Sequence, residues 1–234
     1  MGDSVSFDAP AAVGHYLTEE VDPVFLRAAR DFLFPYLKRG RTLNIGLGYG
    51  VWDERLAELR DEVVGLDIDG ELVAHFRQKY PGIRYVQADL FDYRPERPFD
   101  TVVASHVLEH VDEPVEMLRR CKSWLNPGGH LLLVVPNADS LHRQIGKRMG
   151  LLREVTDLNE ADHKLGHRRV YTFDLMREHL SAGGLSVVRL CGVTLKPMSN
   201  AQFAQMPEEY LKACAAMSEE VGTLAGQIAA VASG

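Results

Sequence analysis

Three glycines at alternate positions, Gly46, Gly48 and Gly50, follow the apolar run 42–47 and precede the amphipathic run 51–59. That order reads as strand, tight turn, helix. Glycine tolerates positive φ and lets a ligand lie directly against the backbone. The helix N-terminus that follows offers unpaired N–H groups and a partial positive charge. About 20 residues further on, a second apolar run ends in Asp67, a carboxylate placed to accept both hydroxyls of a ribose. Together the two elements predict a nucleotide site. Ser105 and His106 leave a later apolar run at the end where open α/β sheets bind ligands. Histidines 106, 163 and 167 titrate near neutrality and are the candidate general bases. Each alone is more often a structural histidine than a base, and His106 ranks first because its strand position is secure.

The elements that must hold these groups alternate along the chain. Asp22 and Pro23 start a helix to about residue 37, stopped by Gly40. After the glycine turn come a strand over 62–68, a helix over 71–80 and a strand over 83–88 that ends at Asp89 and Leu90. A strand over 99–104 and a helix to residue 124 lead to Asn126-Pro127-Gly128-Gly129, a strong turn. The run 130–135 is almost purely apolar, as a central parallel strand should be. It delivers Asn137 to the rim shared by Gly46, Asp67, Asp89 and Ser105, either to orient a reacting group or as a plain turn-former. Residues 140–152 read as a basic helix and 156–166 as polar with few apolar anchors. A helix over 173–182 capped by Gly183-Gly184, a strand over 185–195, a helix over 207–222 and a strand over 227–232 complete the pattern.

At 234 residues the chain suits one α/β domain with a full core. A hydrophobic content of 46% and a charged content of 25% are ordinary for a soluble globular protein. The net charge of −7 argues against non-specific nucleic-acid binding. No apolar run approaches the roughly 20 residues that span a bilayer, and the first residues show no secretory pattern. Three widely spaced cysteines, Cys121, Cys191 and Cys214, suit reduced thiols in a cytoplasmic protein. Cys121 and Cys191 are expected to be small buried hydrophobes.

The glycine spacing resembles motif I of the class I S-adenosylmethionine-dependent methyltransferases. A dinucleotide loop wants its third glycine one residue later, and Tyr49 with Trp52 adds bulk where a pyrophosphate would lie. Leu108-Glu109-His110-Val111 after the fourth strand is similar to a signature of the same family. The resemblance covers about 41–232 and implies a Rossmann-like doubly wound α/β fold. Its seven-stranded sheet is mostly parallel with an antiparallel last strand, and the whole forms a single domain. Residues 1–40 would be an N-terminal helical cap, 41–136 the cofactor core, 138–170 a substrate-specifying insertion after strand five, and 171–234 the remainder. By resemblance, Gly46 and Gly48 wrap the methionine moiety, Asp67 holds the ribose, and Ile68 packs on the adenine. Asp89 and the Leu90 N–H reach the ring edge, Ser105 lies at the rim, and Tyr16 lines the site from the cap. Asn44 departs from the family, which often carries an acid there to order the ligand's ammonium. Some relatives bind a divalent metal with two acids and the histidine at His110; here Glu109 is the only nearby acid, so no metal is expected.

These parts imply a methyltransferase acting on a small molecule, with S-adenosylhomocysteine as the other product. Alignment is the main catalytic task, and Tyr16, Tyr49 or Tyr171 could face the sulfonium. The stretch from Asn137 through His167, Tyr171 and Ser199 also resembles natural-product enzymes that cyclise S-adenosylmethionine itself, giving azetidine-2-carboxylate and methylthioadenosine. Asn137, Tyr171, His106 and Ser199 are the candidate catalytic residues on these readings. A silent regulatory protein on the same scaffold and a protein or nucleic-acid methyltransferase are further alternatives. The acidic charge stands against the last. The sequence names neither the acceptor nor the oligomeric state.

Overall fold

Successive side chains of a strand point to opposite faces of its sheet, and here both faces are apolar. The computed structural model describes residues 21–203 and 205–234. Its strands are β1 (Arg41–Ile45), β2 (Glu62–Asp67), β3 (Arg84–Gln87), β4 (Phe99–Ser105), β5 (Leu125–Pro136), β6 (Ser186–Val193) and β7 (Gln227–Ser233). They form one seven-stranded sheet in the order β3-β2-β1-β4-β5-β7-β6. Strands β1 to β5 pair in parallel, and β7 runs antiparallel between β5 and β6. This is the sheet the sequence predicts.

The helices are α1 (Val21–Leu33), α2 (Val51–Leu56), α3 (Gly70–Lys79), α4 (Pro114–Ser123), α5 (Leu141–Arg148), α6 (Glu160–Lys164), α7 (Phe173–Ala182), α8 (Asn200–Phe203) and α9 (Glu208–Ala216). Leu131, Leu133 and Val135 of β5 pack under α4 and α7, with Met117, Cys121, Met176 and Leu180. Leu132 and Val134 face the other way, toward Leu33 of α1, Trp52 and Leu56 of α2 and Phe76 of α3. Two helix layers therefore cover the sheet. α1 is also tied to α2 by Arg30, which donates to the Val51 carbonyl at 2.8 Å and pairs with Glu54. Asp69 caps α3 by accepting from the Glu71 and Leu72 N–H groups, and Thr172 caps α7 through Leu175.

Strand order reverses between β1 and β4, which opens a crevice at their carboxyl ends. The approach there is close: a Cβ on Gly46 would lie 2.6 Å from Val107 Cγ2.

Several boundaries differ from the sequence reading. The predicted turn at 126–129 lies inside β5, where Leu125 pairs with Phe99 before the register shifts. It is a bulge, with Asn126 donating to Asp100. The helix expected over 207–222 stops at Ala216 and continues as a 3-10 turn, Glu219–Leu224, broken where Gly222 takes φ 57°. The basic helix ends at Arg148, ahead of Gly150 at φ 75°. Within the supposedly unanchored 156–166, Asn159 and Asp162 form a reciprocal capping box at the start of α6. Cys191 is only half-buried, because β6 is an edge strand, whereas Cys121 and Cys214 are buried. Among the described residues no helix is long and apolar enough to cross a membrane.

Candidate functional site

Gly46, Gly48 and Gly50 take φ of 75°, 47° and 71°, so the turn after β1 is one that side-chain-bearing residues rarely adopt. Gly50 is also the N-cap of α2, and a Cβ there would meet the Phe76 ring. Asp67 at the end of β2 fastens this loop. Its Oδ2 accepts from the Leu47 N–H at 2.7 Å and its Oδ1 from the Asp69 N–H at 2.9 Å. Burial pushes the carboxyl above its ordinary range, although those N–H groups oppose the shift. A carboxylate has about four lone-pair sites, so both oxygens retain room for a ligand hydroxyl.

Beneath the loop lies a group that the sequence reading did not find. Asp53 of α2 is fully buried; its Oδ1 accepts from Tyr85 Oη at 2.8 Å and its Oδ2 from Asn44 Nδ2 at 2.9 Å. Burial raises the Asp53 carboxyl to about 6. Asn44, where the family often carries an acid, thus spends its amide NH2 on Asp53 inside the protein. Gly65 leaves the room through which Tyr85 reaches Asp53. Trp52 belongs to the core beside Leu47 and adds no bulk to the ligand side.

Along the same rim, Ile68 stays 43% exposed, a large apolar side chain directly after the loop-fastening acid. Asp89 accepts from the Phe91 N–H at 2.7 Å and so shapes the turn after β3, while Leu90 packs partly buried against the core. Ser105 is the last residue of β4 and pairs with Val134. Tyr16 lies outside the described residues.

His106 follows with φ 55°, a strained value for a residue carrying a side chain. Its Nε2 lies 3.3 Å from Gln227 Oε1 of β7, and its Nδ1 lies 3.0 Å from Glu109 Oε1. Glu109 is fully buried, and the His106 imidazole is the close partner of its Oε1. Burial alone would raise the Glu109 carboxyl; His106, His110 and His167 outweigh that and hold it below its usual range. His167 arrives from the far end of the insertion. The Arg168 N–H donates to the Glu109 carbonyl at 2.8 Å, and the Arg169 guanidinium reaches the carbonyls of Leu108, Val111 and Asp112. The His110 and His167 rings then meet edge to face, 4.8 Å between centroids. Only the His110 half of this cluster was visible locally. His163 sits exposed on α6, away from it.

The other sequence-predicted catalytic residues do not join this group. Asn137 is buried, its Nδ2 donating to the carbonyls of Thr223 and Ala225 and its Oδ1 accepting from the Asp139 N–H. Tyr171 is wholly buried; its hydroxyl lies 3.2 Å from His179 Nδ1. A bridge between these two residues locks the end of β5 to the segment that leads into α7. Ser199 is exposed and caps α8, its Oγ 3.0 Å from Gln202 Oε1. Polar residue type suggests chemistry for all three, and in the structure each makes local hydrogen bonds.

A family model described as "Methyltransferase domain" matches residues 15–190. A ubiquinone biosynthesis O-methyltransferase of Xanthomonas euvesicatoria pv. vesicatoria is 36% identical over 107 residues, 43% of this chain and 45% of that protein. A trans-aconitate 2-methyltransferase of Rhizobium leguminosarum bv. trifolii is 33% identical over 115 residues, 47% and 45% of the two. The matched stretch is less than half the length of either relative. Among solved structures, a SAM dependent methyltransferase from Archaeoglobus fulgidus superposes with a TM-score of 0.62 at 22% identity, covering 90% of this chain and 93% of that one. The plantazolicin methyltransferase BpumL superposes at 0.63 with 15% identity, covering 94% and 88%. These two structures share the fold.

Proposed function

The chain belongs to the methyltransferase domain family, and from that premise we propose that it transfers a methyl group from S-adenosylmethionine to an oxygen of a small molecule. The observation that carries this reading is the glycine loop held open by Asp67. Three alternate glycines at positive φ shape this loop, and a Cβ at Gly46 or Gly50 would clash with Val107 or with the Phe76 ring. Ile68 stands exposed beside the loop as an apolar face for a flat ring. These residues fit the cofactor. Gly46 and Gly48 would receive its amino-acid end, Asp67 its ribose, and Ile68, Asp89 and the Leu90 N–H its adenine.

When bound, S-adenosylmethionine supplies an electrophilic methyl on a sulfonium. The chain's own contribution is alignment and proton handling. Ser105 and His106 close the rim where β4 ends, next to the crevice. Glu109 favours the proton on His106 Nδ1, which leaves the Nε2 lone pair to a substrate hydroxyl that takes the place of the 3.3 Å Gln227 contact. His106 Nε2 then takes the proton of an acceptor hydroxyl as the methyl arrives. The names of the curated relatives, an O-methyltransferase and an aconitate methyltransferase, support a small oxygen acceptor. The net charge of −7 supports an acceptor that is not a nucleic acid.

Calorimetric titration with S-adenosylmethionine tests the reading. Saturable binding by the wild type that is lost in Asp67→Ala is the expected result. No binding would sink it, and binding without turnover on any oxygen acceptor would leave the silent scaffold as the better account. Incubation with S-adenosylmethionine alone should leave the cofactor intact; methylthioadenosine above the spontaneous rate would instead identify the cyclase.

A further inference from the structure

We propose that Asp53 selects the charged cofactor over its uncharged product by holding a negative charge beneath the glycine loop, an inference that rests on the reading of that loop as the cofactor site. S-adenosylmethionine carries a sulfonium, an ammonium and a carboxylate, hence one net positive charge. Methyl transfer turns the sulfonium into a thioether, so S-adenosylhomocysteine has no net charge. The ammonium, carboxylate, ribose and adenine are common to both. A buried anion below the loop therefore tells the two apart at the sulfur.

The geometry sets Asp53 across the base of the loop. Asn44 stands two residues before Gly46 and Asp53 three after Gly50, and the 2.9 Å bond from Asn44 Nδ2 to Asp53 Oδ2 joins the two sides. Tyr85 Oη, reaching from β3 through the space left at Gly65, donates to the other oxygen at 2.8 Å. Both partners are neutral, so they hold the carboxylate without cancelling its charge. Asp53 is also fully buried, and away from water a unit charge acts more strongly and over a longer range. Folding does not call for that charge. A buried carboxyl that ionises at neutral pH destabilises the native state, and a neutral asparagine would make the same two contacts. The charge is kept against stability, as happens at functional sites.

The surrounding elements leave Asp53 to titrate on its own terms. Asn44 faces it from β1 and Tyr85 from β3, and the Asp67 carboxylate of β2 opposes its ionisation. On the α1 side Arg30 is taken by Glu54 and the Val51 carbonyl, and on the α3 side Arg77 donates to the Tyr85 carbonyl at 3.2 Å. Burial raises the Asp53 carboxyl to about 6. Above that pH the charge is present and favours the sulfonium; below it the charge is lost, and the preference goes with it. Asp67 accepts from the ribose, which both ligands share, so its hydrogen bonds cancel when the two are compared.

The test measures dissociation constants of the full chain for S-adenosylmethionine and S-adenosylhomocysteine by calorimetry, in steps from about pH 5 to about pH 8. In the wild type the ratio of the two, product over cofactor, should rise about tenfold as pH passes through the Asp53 range. Asp53→Asn should hold the ratio at its low-pH value throughout. His106→Gln, which removes the histidine at the rim, should keep the rise. Tyr85→Phe takes a hydrogen bond from the ionised carboxylate and should move the midpoint of the rise to higher pH. A merely structural role would weaken both ligands together, so a wild-type ratio in Asp53→Asn overturns the proposal. So does a rise that His106→Gln abolishes. A wild type that binds neither ligand sinks the cofactor reading, and the inference with it. Should Asp53→Asn fail to fold, the His106→Gln and Tyr85→Phe series decide.

Discussion

At the scale of single residues, Asp67 does two jobs, and its removal should show both. Asp67→Ala deletes the acceptor for the Leu47 and Asp69 N–H groups as well as for a ribose. Each charge-assisted bond is worth about 1.5–3 kcal/mol, so cofactor affinity should fall roughly ten- to a hundredfold or more, read by calorimetry. Circular dichroism should show the sheet intact, because Asp67 is at a strand end and not in the core. Asp53 makes a different case. Its folded carboxyl is raised to about 6 against 3.8 for the free group. The folded state therefore holds its proton longer than the unfolded one. The associated stability is full below about pH 4 and is lost as pH rises through 6. Asp53→Asn keeps acceptor and donor positions for Tyr85 and Asn44 while removing the charge. It should match wild type in urea midpoint near pH 4 and exceed it at pH 7.5, by an amount on the order of 2–3 kcal/mol. An equal difference at both pH values would rule the charge out as its source. The glycines and Asp67 were legible in the sequence because their meaning is local spacing. Asn44, Asp53 and Tyr85 were not, because they come from three elements and meet only in the folded protein. The same reason hid the partnership of Glu109 with His167.

At the scale of elements, the insertion between β5 and α7 has its own anchor. Arg143 is almost fully buried on α5 and donates to the Val155 carbonyl at 2.7 Å, to the Asp157 carbonyl and to Asp162. Arg143→Ala breaks a buried pair, a change that typically costs about 3–5 kcal/mol. Hydrogen exchange should speed up over 141–167 and stay slow in β4 and β5. Uniform acceleration through the sheet would show that the insertion is not a separate unit. A sequence with few apolar residues gave no reason to expect order here, since hydrophobic periodicity is the main sequence signal. The usable signal was the Asn159-x-x-Asp162 spacing of a capping box. The same blindness explains 126–129, where Pro and Gly announce a turn and a neighbouring strand absorbs them as a bulge. Thiols follow the elements too: Cys121, under α4 and pushed up to about 12 by burial, should resist labelling until the protein unfolds. Half-buried Cys191 on the edge strand should be modified before it, as mass mapping of the native protein would reveal.

At the scale of the whole molecule, the fold was legible because strands and helices alternate with a period that only a covered parallel sheet satisfies. That β7 runs antiparallel came from family resemblance, whereas its place between β5 and β6 is seen only in the structure, since antiparallel insertion leaves no local mark. Its alternate residues serve both cores, Ala230 and Ala232 on one face and Ala229 and Val231 on the other. A chain ending at Gly226 should therefore lose more than an edge. Collapse of the thermal transition and recovery mainly as insoluble protein are expected, and a cooperative, soluble fragment would contradict the view of β7 as a keystone. The same strand also sets a timetable. As the chain leaves the ribosome, β5 and β6 emerge before the segment that must lie between them. Each keeps an unpaired, sticky margin until β7 has cleared the exit tunnel. Pairings this distant in sequence form slowly and leave intermediates open to aggregation. Yield in a cell should then depend on how quickly translation passes 227–233. Rare codons placed just upstream of that strand should lower the soluble fraction without altering one atom of the finished protein.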